Sequence, residues 1–242
     1  MATKCAHCPL RRSDLFVPHS GDDTRFMERF KVGEMTIDPG TPLLMEGSNS
    51  PQLYTALRGM GLRFKTLENG RRQVLNFVFP GDFIGLQAAV MGEMQHSVQA
   101  SSAMTLCVFN RSEFWSFFKT NPERAFDLTW LAAVSEHFMG ETLTSVGQRD
   151  ATERVAWALA KIMQRGAALG LVLDRTMPLP YRQQDLADAL GLSLVHTNKT
   201  LGKLRDRQLA NWSDGTLIVH DMGKLVRLAG MDTEGPQRQP LM

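Results

Sequence analysis

The chain has 242 residues and a formal net charge of +2, and 43% of its residues are hydrophobic while 21% are charged. This composition is ordinary for a soluble globular protein with one large domain or two small ones. Because no stretch approaches the roughly 18 apolar residues of a membrane-spanning helix and the first residues lack the pattern of a signal peptide, we expect a cytoplasmic protein that does not bind membranes.

The polar first segment contains two cysteines, Cys5 and Cys8, in a C-x-x-C spacing, and the remaining cysteine is Cys107. In the cytosol, where thiols are normally reduced, this spacing favours a metal site, a cluster or redox chemistry over a structural disulfide. An inert segment is the alternative for the first two. Cys107 lies in an apolar run, where a cysteine often serves only as a small buried side chain.

Short apolar or alternating runs, separated by glycines, extend from Gly33 to Phe109. Two of them, residues 62–67 and 73–79, flank Asn69 and Gly70. An Asn-Gly pair favours a type I′ hairpin turn, whose two central residues both have positive φ. Many short strands at this spacing predict a barrel, a sandwich or a roll over the first 120 residues.

A long amphipathic helix is predicted from Asn121 and Pro122 to about Val146. Leu131, Val134 and Phe138 recur on it at spacings of three and four residues, which places them on one face. Such a face fits two roles equally well. The helix is either packed in the core of one subunit or paired with its own copy in a dimer.

The most specific local pattern lies between Arg182 and Arg207. One short helix, Gln183–Ala189, is followed by Gly191 and by a second helix that Ser193 can cap, which predicts a helix-turn-helix. Two strand-like runs follow and predict a wing. Side chains early in the second helix would meet base edges in the major groove, and its lysines would attract phosphates. The candidate DNA-binding residues are Ser193, Leu194, His196, Asn198, Lys199 and Lys203. A packing unit with no role in DNA binding is the alternative.

The sequence contains no phosphate-binding loop, no nucleophile motif and no spacing typical of a catalytic metal site. We therefore predict that the protein is not an enzyme.

Two segments resemble the Crp/Fnr family of transcription regulators: residues 186–201, and the motif from Pro80 to Gly85. The recognition helix is most similar to the subgroup with Val-His-x-Asn-Arg/Lys, and the similarity runs in order over about residues 5–230. It implies an α+β fold with a β-roll of the cyclic-nucleotide-binding type, a long dimerisation helix and a C-terminal winged helix-turn-helix. The implied domains are a sensor roll at 1–120, the dimerisation helix at 121–148, the winged helix at 149–230 and a flexible tail at 231–242.

The resemblance also implies a homodimer that binds double-stranded DNA at a palindromic site and contacts RNA polymerase. The helix face formed by Leu131, Val134 and Phe138 is then the dimer interface. A signal in the roll would shift the orientation of the two recognition helices. The alternative function is a cyclic-nucleotide-type ligand-sensor module that acts through protein partners.

The resemblance places an effector pocket at a set of residues in the roll, namely Gly81, Phe83, Gly85, Leu86, His96 and Ser97. In cAMP-binding members a glutamate stands where this chain has Leu86, and an arginine stands where it has His96. A buried phosphate diester needs a permanent cation, and a histidine is a poor substitute near neutral pH. We therefore predict that cAMP is not the signal, which remains unknown.

The oxygen-sensing branch of the family uses N-terminal cysteines and one cysteine in the roll, and Cys107 falls at the roll position. An iron–sulfur cluster takes four thiolates, whereas this chain offers Cys5, Cys8 and Cys107. A cluster, another metal, or a redox or oxygen signal at these cysteines is therefore a hypothesis.

Overall fold

A computed structural model describes residues 2–231 and 235–242 and divides the chain into two compact units. The roll unit comprises the residues up to Ser135 together with Arg238–Met242, and the winged unit comprises Glu136–Gln237. The division falls inside the long helix, and it gives the last five residues to the roll unit.

The strands of the roll unit form antiparallel sheets with the orders β1-β8-β3-β6 and β2-β7-β4-β5. Their bounds are β1 Lys31–Ile37, β2 Pro42–Leu44, β3 Gln52–Arg58, β4 Gly61–Thr66, β5 Arg72–Val78, β6 Phe83–Ile84, β7 Ser97–Ala100 and β8 Met104–Asn110. Buried side chains from both sheets form the inner core of the roll, with Leu44, Val98 and Leu106 among them.

The hairpin between β4 and β5 confirms the predicted strand pair, but the predicted turn type is wrong. Gly70 has a positive φ of 78°, whereas Asn69 is not among the residues with positive φ. The amide of Leu67 donates to the carbonyl of Arg71, so the loop between this pair is one residue longer than the two-residue type I′ loop. The Asn69 side chain instead accepts from the Arg71 amide at 3.0 Å.

The helices of the roll unit are α1 (Gly21–Phe30), α2 (Leu86–Met91), α3 (Phe114–Thr120) and the first part of α4 (Pro122–Gln148). Adjacent residues of a strand point to opposite faces of a sheet. Tyr54 accordingly lies in the inner core, whereas Leu53 lies in a second apolar cluster that helices α1, α3 and α4 help to form. We call this second group the helix-side cluster. Its buried members are Met27, Phe30, Leu53, Phe83, Phe109, Phe114, Phe117, Leu128 and Met242.

The remaining elements belong to the winged unit. They are α5 Ala151–Ala168, β9 Thr176–Pro178, α6 Gln183–Leu190, α7 Leu194–Asp206, β10 Ala210–Ser213, β11 Thr216–Val219 and α8 Met222–Leu228. The strands form an antiparallel sheet in the order β10-β11-β9. Asp150 caps α5 by accepting from the amides of Thr152 and Glu153. This unit has the predicted winged helix-turn-helix architecture.

The prediction of a flexible tail over residues 231–242 is wrong for its last four residues. Gln239, Leu241 and Met242 are 8%, 5% and 4% exposed, and all belong to the roll unit. The sequence there is polar and contains prolines, so no local pattern indicated burial. Residues 232–234 of that predicted tail lie outside the described residues.

Candidate nucleic-acid interface

Helices α6 and α7 meet at a tight turn built around Gly191. This glycine has a φ of 64°, a left-handed conformation that ends α6 and that L-residues with a Cβ seldom adopt. The Ser193 side chain then accepts a hydrogen bond from the His196 amide at 3.2 Å and caps the first turn of α7. Short-range chemistry therefore fixes the turn and the start of the second helix, as the sequence predicts.

The two faces of α7 differ sharply in exposure. Its inward face is buried and consists of Thr197, Thr200, Leu201 and Leu204. All of the predicted DNA-binding positions are exposed, namely Ser193, Leu194, His196, Asn198, Lys199 and Lys203. The structure thus brings them together on the solvent side of one helix, with Ser193 at its N-terminal end. The Ser193 oxygen is already engaged in the cap.

Val195 is missing from the predicted set, although its side chain is 79% exposed. The apolar pattern assigns a valine at the start of an amphipathic helix to the core, and for this reason Val195 was not predicted on the DNA-binding face. The signal available in the sequence is the helical period, because Thr197, Thr200 and Leu201 turn inward and leave Val195 facing outward. An exposed apolar side chain at this position can contact the methyl group of thymine.

A wing follows α7 and consists of β10 and β11. Their last pair of partners is Ser213 and Thr216, so the loop contains only Asp214 and Gly215. Both loop residues have positive φ, 51° and 70°, as a two-residue type I′ turn requires.

Most of the predicted dimer face on α4 makes contacts within its own chain. Leu131 packs against the helix-side cluster of its own roll unit. Phe138 stacks on Trp157 of α5, with ring centroids 6.1 Å apart and an interplanar angle of 22°. Val134 is half-buried. Two of the three predicted residues are therefore already used in contacts within the chain.

Other apolar side chains of α4 are uncovered in the single chain. Phe126 is 68% exposed, Met139 is 44% exposed and Leu143 is 74% exposed. Exposed apolar side chains of this size on one long helix are typical of an interface with another protein. They do not lie on the face that Leu131, Val134 and Phe138 define, because the five residues from Phe138 to Leu143 turn the helix by about 140°.

The predicted effector residues lie in different surroundings within the roll unit. Phe83 is buried in the helix-side cluster and Leu86 packs against it, so both point away from the inner core of the roll. The physical reason is the alternation of the strand, which sends Phe83 outward and Ile84 inward. Gly85, with a φ of 101°, begins α2. Gly81 is required by packing, because a Cβ there would lie 2.1 Å from Cζ of Phe16.

His96 and Ser97 lie at the start of β7. Burial, and after it the nearby Arg63 guanidinium, lowers the pKa of His96 to about 4, so the ring is neutral at pH 7. The Ser97 hydroxyl accepts from the Glu46 amide at 3.0 Å. Arg63 donates to the Phe83 carbonyl at 2.8 Å, and Lys65 pairs with Glu46. Position 96 therefore supplies no permanent cation for a phosphate.

The three cysteines are free thiols in the roll unit, and each is half-buried. Burial raises the pKa of Cys107 to about 11 and also raises that of Cys5, while Lys31 opposes both shifts. Cys8 lies close enough to both for its charge to affect their pKa values. The structure therefore gathers the thiols in one region and favours the protonated forms of Cys5 and Cys107.

These donors do not fit an iron–sulfur cluster. Within residues 2–231 and 235–242, no group of three or more His, Cys, Asp or Glu side chains is arranged to hold a metal ion. A cluster takes four thiolates, and the chain has three cysteines.

Comparison with known proteins decides the family. Residues 34–121 match the cyclic nucleotide-binding domain, and residues 153–228 match the Crp-like helix-turn-helix domain. The chain is 31% identical over 226 residues to the nitrogen fixation regulation protein FixK of Bradyrhizobium diazoefficiens, and the alignment covers 93% of each protein. The chain belongs to the Crp/Fnr family. It is therefore a transcription regulator with a helix-turn-helix DNA-binding domain, as predicted.

Other Crp/Fnr proteins agree with this assignment. The transcriptional activator protein FnrL of Cereibacter sphaeroides is 26% identical and aligns over 96% of this chain and 94% of its own length. Among solved structures, FixK2 from Bradyrhizobium japonicum superposes with a TM-score of 0.73 at 22% identity and covers 84% of this chain and 98% of its own. This superposition supports the fold. In the described part of the Crp/Fnr chain, no helix is both long and apolar enough to cross a membrane.

Proposed function

We propose that this Crp/Fnr protein is a cytoplasmic homodimer that binds a palindromic site in duplex DNA through α7 and activates transcription by contacting RNA polymerase. The proposal rests on the difference in burial between the two faces of α7. Its polar and basic side chains are exposed on one face, and its apolar side chains are buried on the other. The names of FixK and FnrL support regulation and activation, respectively. The alternative of a sensor module that acts only through protein partners gives no role to this basic helix.

Each exposed side chain of α7 has a distinct chemical use in the major groove. Asn198 can accept from and donate to an adenine edge, and Lys199 can donate to guanine or to a phosphate. Leu194 and Val195 offer apolar contacts to thymine methyl groups. Lys203 lies one turn further along the helix, where the groove wall presents phosphates.

The proposed dimer pairs α4 with its copy through side chains that the single chain leaves uncovered. Phe126 and Leu143 are the most exposed apolar residues of this helix, at 68% and 74%. A two-fold pair would place two copies of α7 on half-sites about one helical turn of DNA apart. In this proposal Leu131 and Phe138 support the helix from behind, and Val134 lies at the edge of the interface.

The proposed signal acts in the roll unit and is not cAMP. A neutral His96 and an apolar Leu86 stand where cAMP-binding members carry an arginine and a glutamate. We expect no binding of cAMP at millimolar concentration in isothermal titration, and micromolar affinity would contradict this part of the proposal. A redox or oxygen signal at Cys5, Cys8 and Cys107 stays a prediction.

The test of the function removes one charge from α7. The probe is a duplex selected by the native protein from a randomised pool. Lys199→Ala should weaken binding to it by about 10- to 100-fold and reduce the slope of log affinity against log salt by about one. Lys119→Ala is the matched control, because it removes another exposed lysine, which lies on α3.

The outcomes separate the alternatives. If the native protein selects no sequence, the proposed function is wrong. If Lys199→Ala and Lys119→Ala bind equally well, α7 is not the DNA-reading helix. Asn198→Ala should relax the base preference at one position of each half-site while leaving the salt slope unchanged.

A further inference from the structure

The last residues of the chain form part of the roll unit. The Val17 amide donates to the Gln239 carbonyl at 2.9 Å, and the Gln239 amide donates to the Leu15 carbonyl at 2.8 Å. These bonds make a parallel bridge between Phe16 and Gln239. The tail is therefore held through its backbone, as an added strand would be, by residues more than 200 positions away in the sequence.

The end of the tail has polar partners of its own. The Leu241 carbonyl lies 2.9 Å from Nε2 of His19, and Nη1 of Arg124 lies 3.2 Å from the same nitrogen. Burial lowers the pKa of His19. The hydroxyl of Thr55, a buried residue of β3, donates to the terminal Met242 carbonyl.

The side chain of Met242 completes the helix-side cluster. It is 4% exposed and packs in the cluster that contains Phe30, Phe83 and Phe109. Phe16, which pairs with the tail, lies against Gly81 of the motif that resembles the family's sensor motif. The tail therefore touches, directly or through one residue, both ends of the segment from Gly81 to Phe83.

We propose that the roll unit contains a receptor site for an extended peptide segment with apolar side chains, and that the chain's own Gln239–Met242 occupies it. The same covalent chain leads from α8 of the winged unit to this tail. We expect docking and release of the tail to alter DNA binding by the winged unit along this chain connection. The docking site stands without the proposed function, whereas the effect on DNA binding rests on it.

The first test measures docking in a protein whose chain ends at Met242. Carboxypeptidase should release Met242 at least tenfold more slowly from the folded protein than from a synthetic peptide of residues 231–242. Equal rates would overturn the proposal. This comparison needs no variant and does not depend on how a mutant folds.

The second test uses variants and rescue. Removal of residues 239–242 and the substitution Met242→Asp should each lower the Tm of the roll unit by several degrees and speed hydrogen exchange at Leu15–Val17 at least tenfold. Gln237→Ala is the matched control, because this residue is exposed and precedes the docked segment. The free tetrapeptide Gln-Pro-Leu-Met should reverse both effects in the deletion variant. Absence of any rescue would overturn the receptor site.

The third test measures coupling with the duplex selected by the native protein. A change of threefold or more in the DNA affinity of the deletion variant, in either direction, supports coupling between tail and winged unit. Unchanged affinity would overturn coupling. Failure of the native protein to bind DNA would instead refute the proposed function and leave the docking measurements intact.

Discussion

Replacement of His96 tests the chemistry of the roll most directly. The folded protein holds this ring neutral, with a pKa of about 4 that results first from burial and then from Arg63. In the unfolded chain a histidine takes up a proton below about pH 6.5. The unfolded state therefore binds more protons between pH 6.5 and 4, and His96 makes the protein less stable as the pH falls through this window. Above pH 6.5 the residue has no such effect.

The magnitude follows from these two pKa values. With about 6.5 in the unfolded chain and about 4 in the folded chain, the free energy of unfolding is about 2 kcal/mol lower at pH 5 than at pH 7. His96→Gln should remove this loss. The pKa of His19 is also lowered, but that residue is present in both proteins and cancels in the comparison. Asp23 and Glu34 have lowered pKa values, so the stability that they contribute is lost only at more acidic pH.

The assay is urea unfolding at pH 7 and pH 5, with hydrogen exchange of peptides from β3 and β8 to resolve the roll unit. His137→Gln is the matched control, since that histidine is exposed on α4. The native protein and the control should lose about 2 kcal/mol more than His96→Gln. Equal losses in all three proteins would refute the reasoning. They would mean that His96 titrates normally, and the exclusion of cAMP would then lose its physical basis.

Three further perturbations test packing, assembly and thiol chemistry. Gly81→Ala should lower the free energy of unfolding in urea by about 1–3 kcal/mol, because its Cβ would meet the Phe16 ring. Gly92 has a similar φ but no atom within 4 Å of the added Cβ, so Gly92→Ala should lower it clearly less. Equal losses would contradict this expectation. Leu143→Asp should shift sedimentation from dimer to monomer, and a dimer that persists would place the interface elsewhere. Because the pKa of Cys107 is about 11, about one molecule in 10⁴ should carry its thiolate at pH 7. Its rate of reaction with iodoacetamide should therefore rise about tenfold per pH unit up to pH 10. Rapid alkylation at pH 7 would contradict the burial of this thiol.

The sequence determined the parts of the protein that follow local rules. Gly191 and Ser193 indicate a turn and a helix cap through their own backbone and side-chain chemistry. The helix-turn-helix can therefore be predicted without knowledge of any long-range contact. The spacing of apolar residues likewise indicated α4, which the structure bounds at Pro122–Gln148. Loop length was harder to judge, and the type I′ turn predicted at Asn69 proved to be the turn type of Asp214 and Gly215 instead.

Only the tertiary structure decided which of these residues are covered. Leu131 and Leu143 are both leucines of α4, yet Leu131 packs against the helix-side cluster and Leu143 is 74% exposed. Val195 is apolar and exposed, and Met242 lies in a tail that is polar in sequence and yet is buried among phenylalanines. Local patterns report the conformation of a segment, whereas burial depends on partners that are distant in the sequence. The residues of the segment alone therefore do not predict whether it is buried.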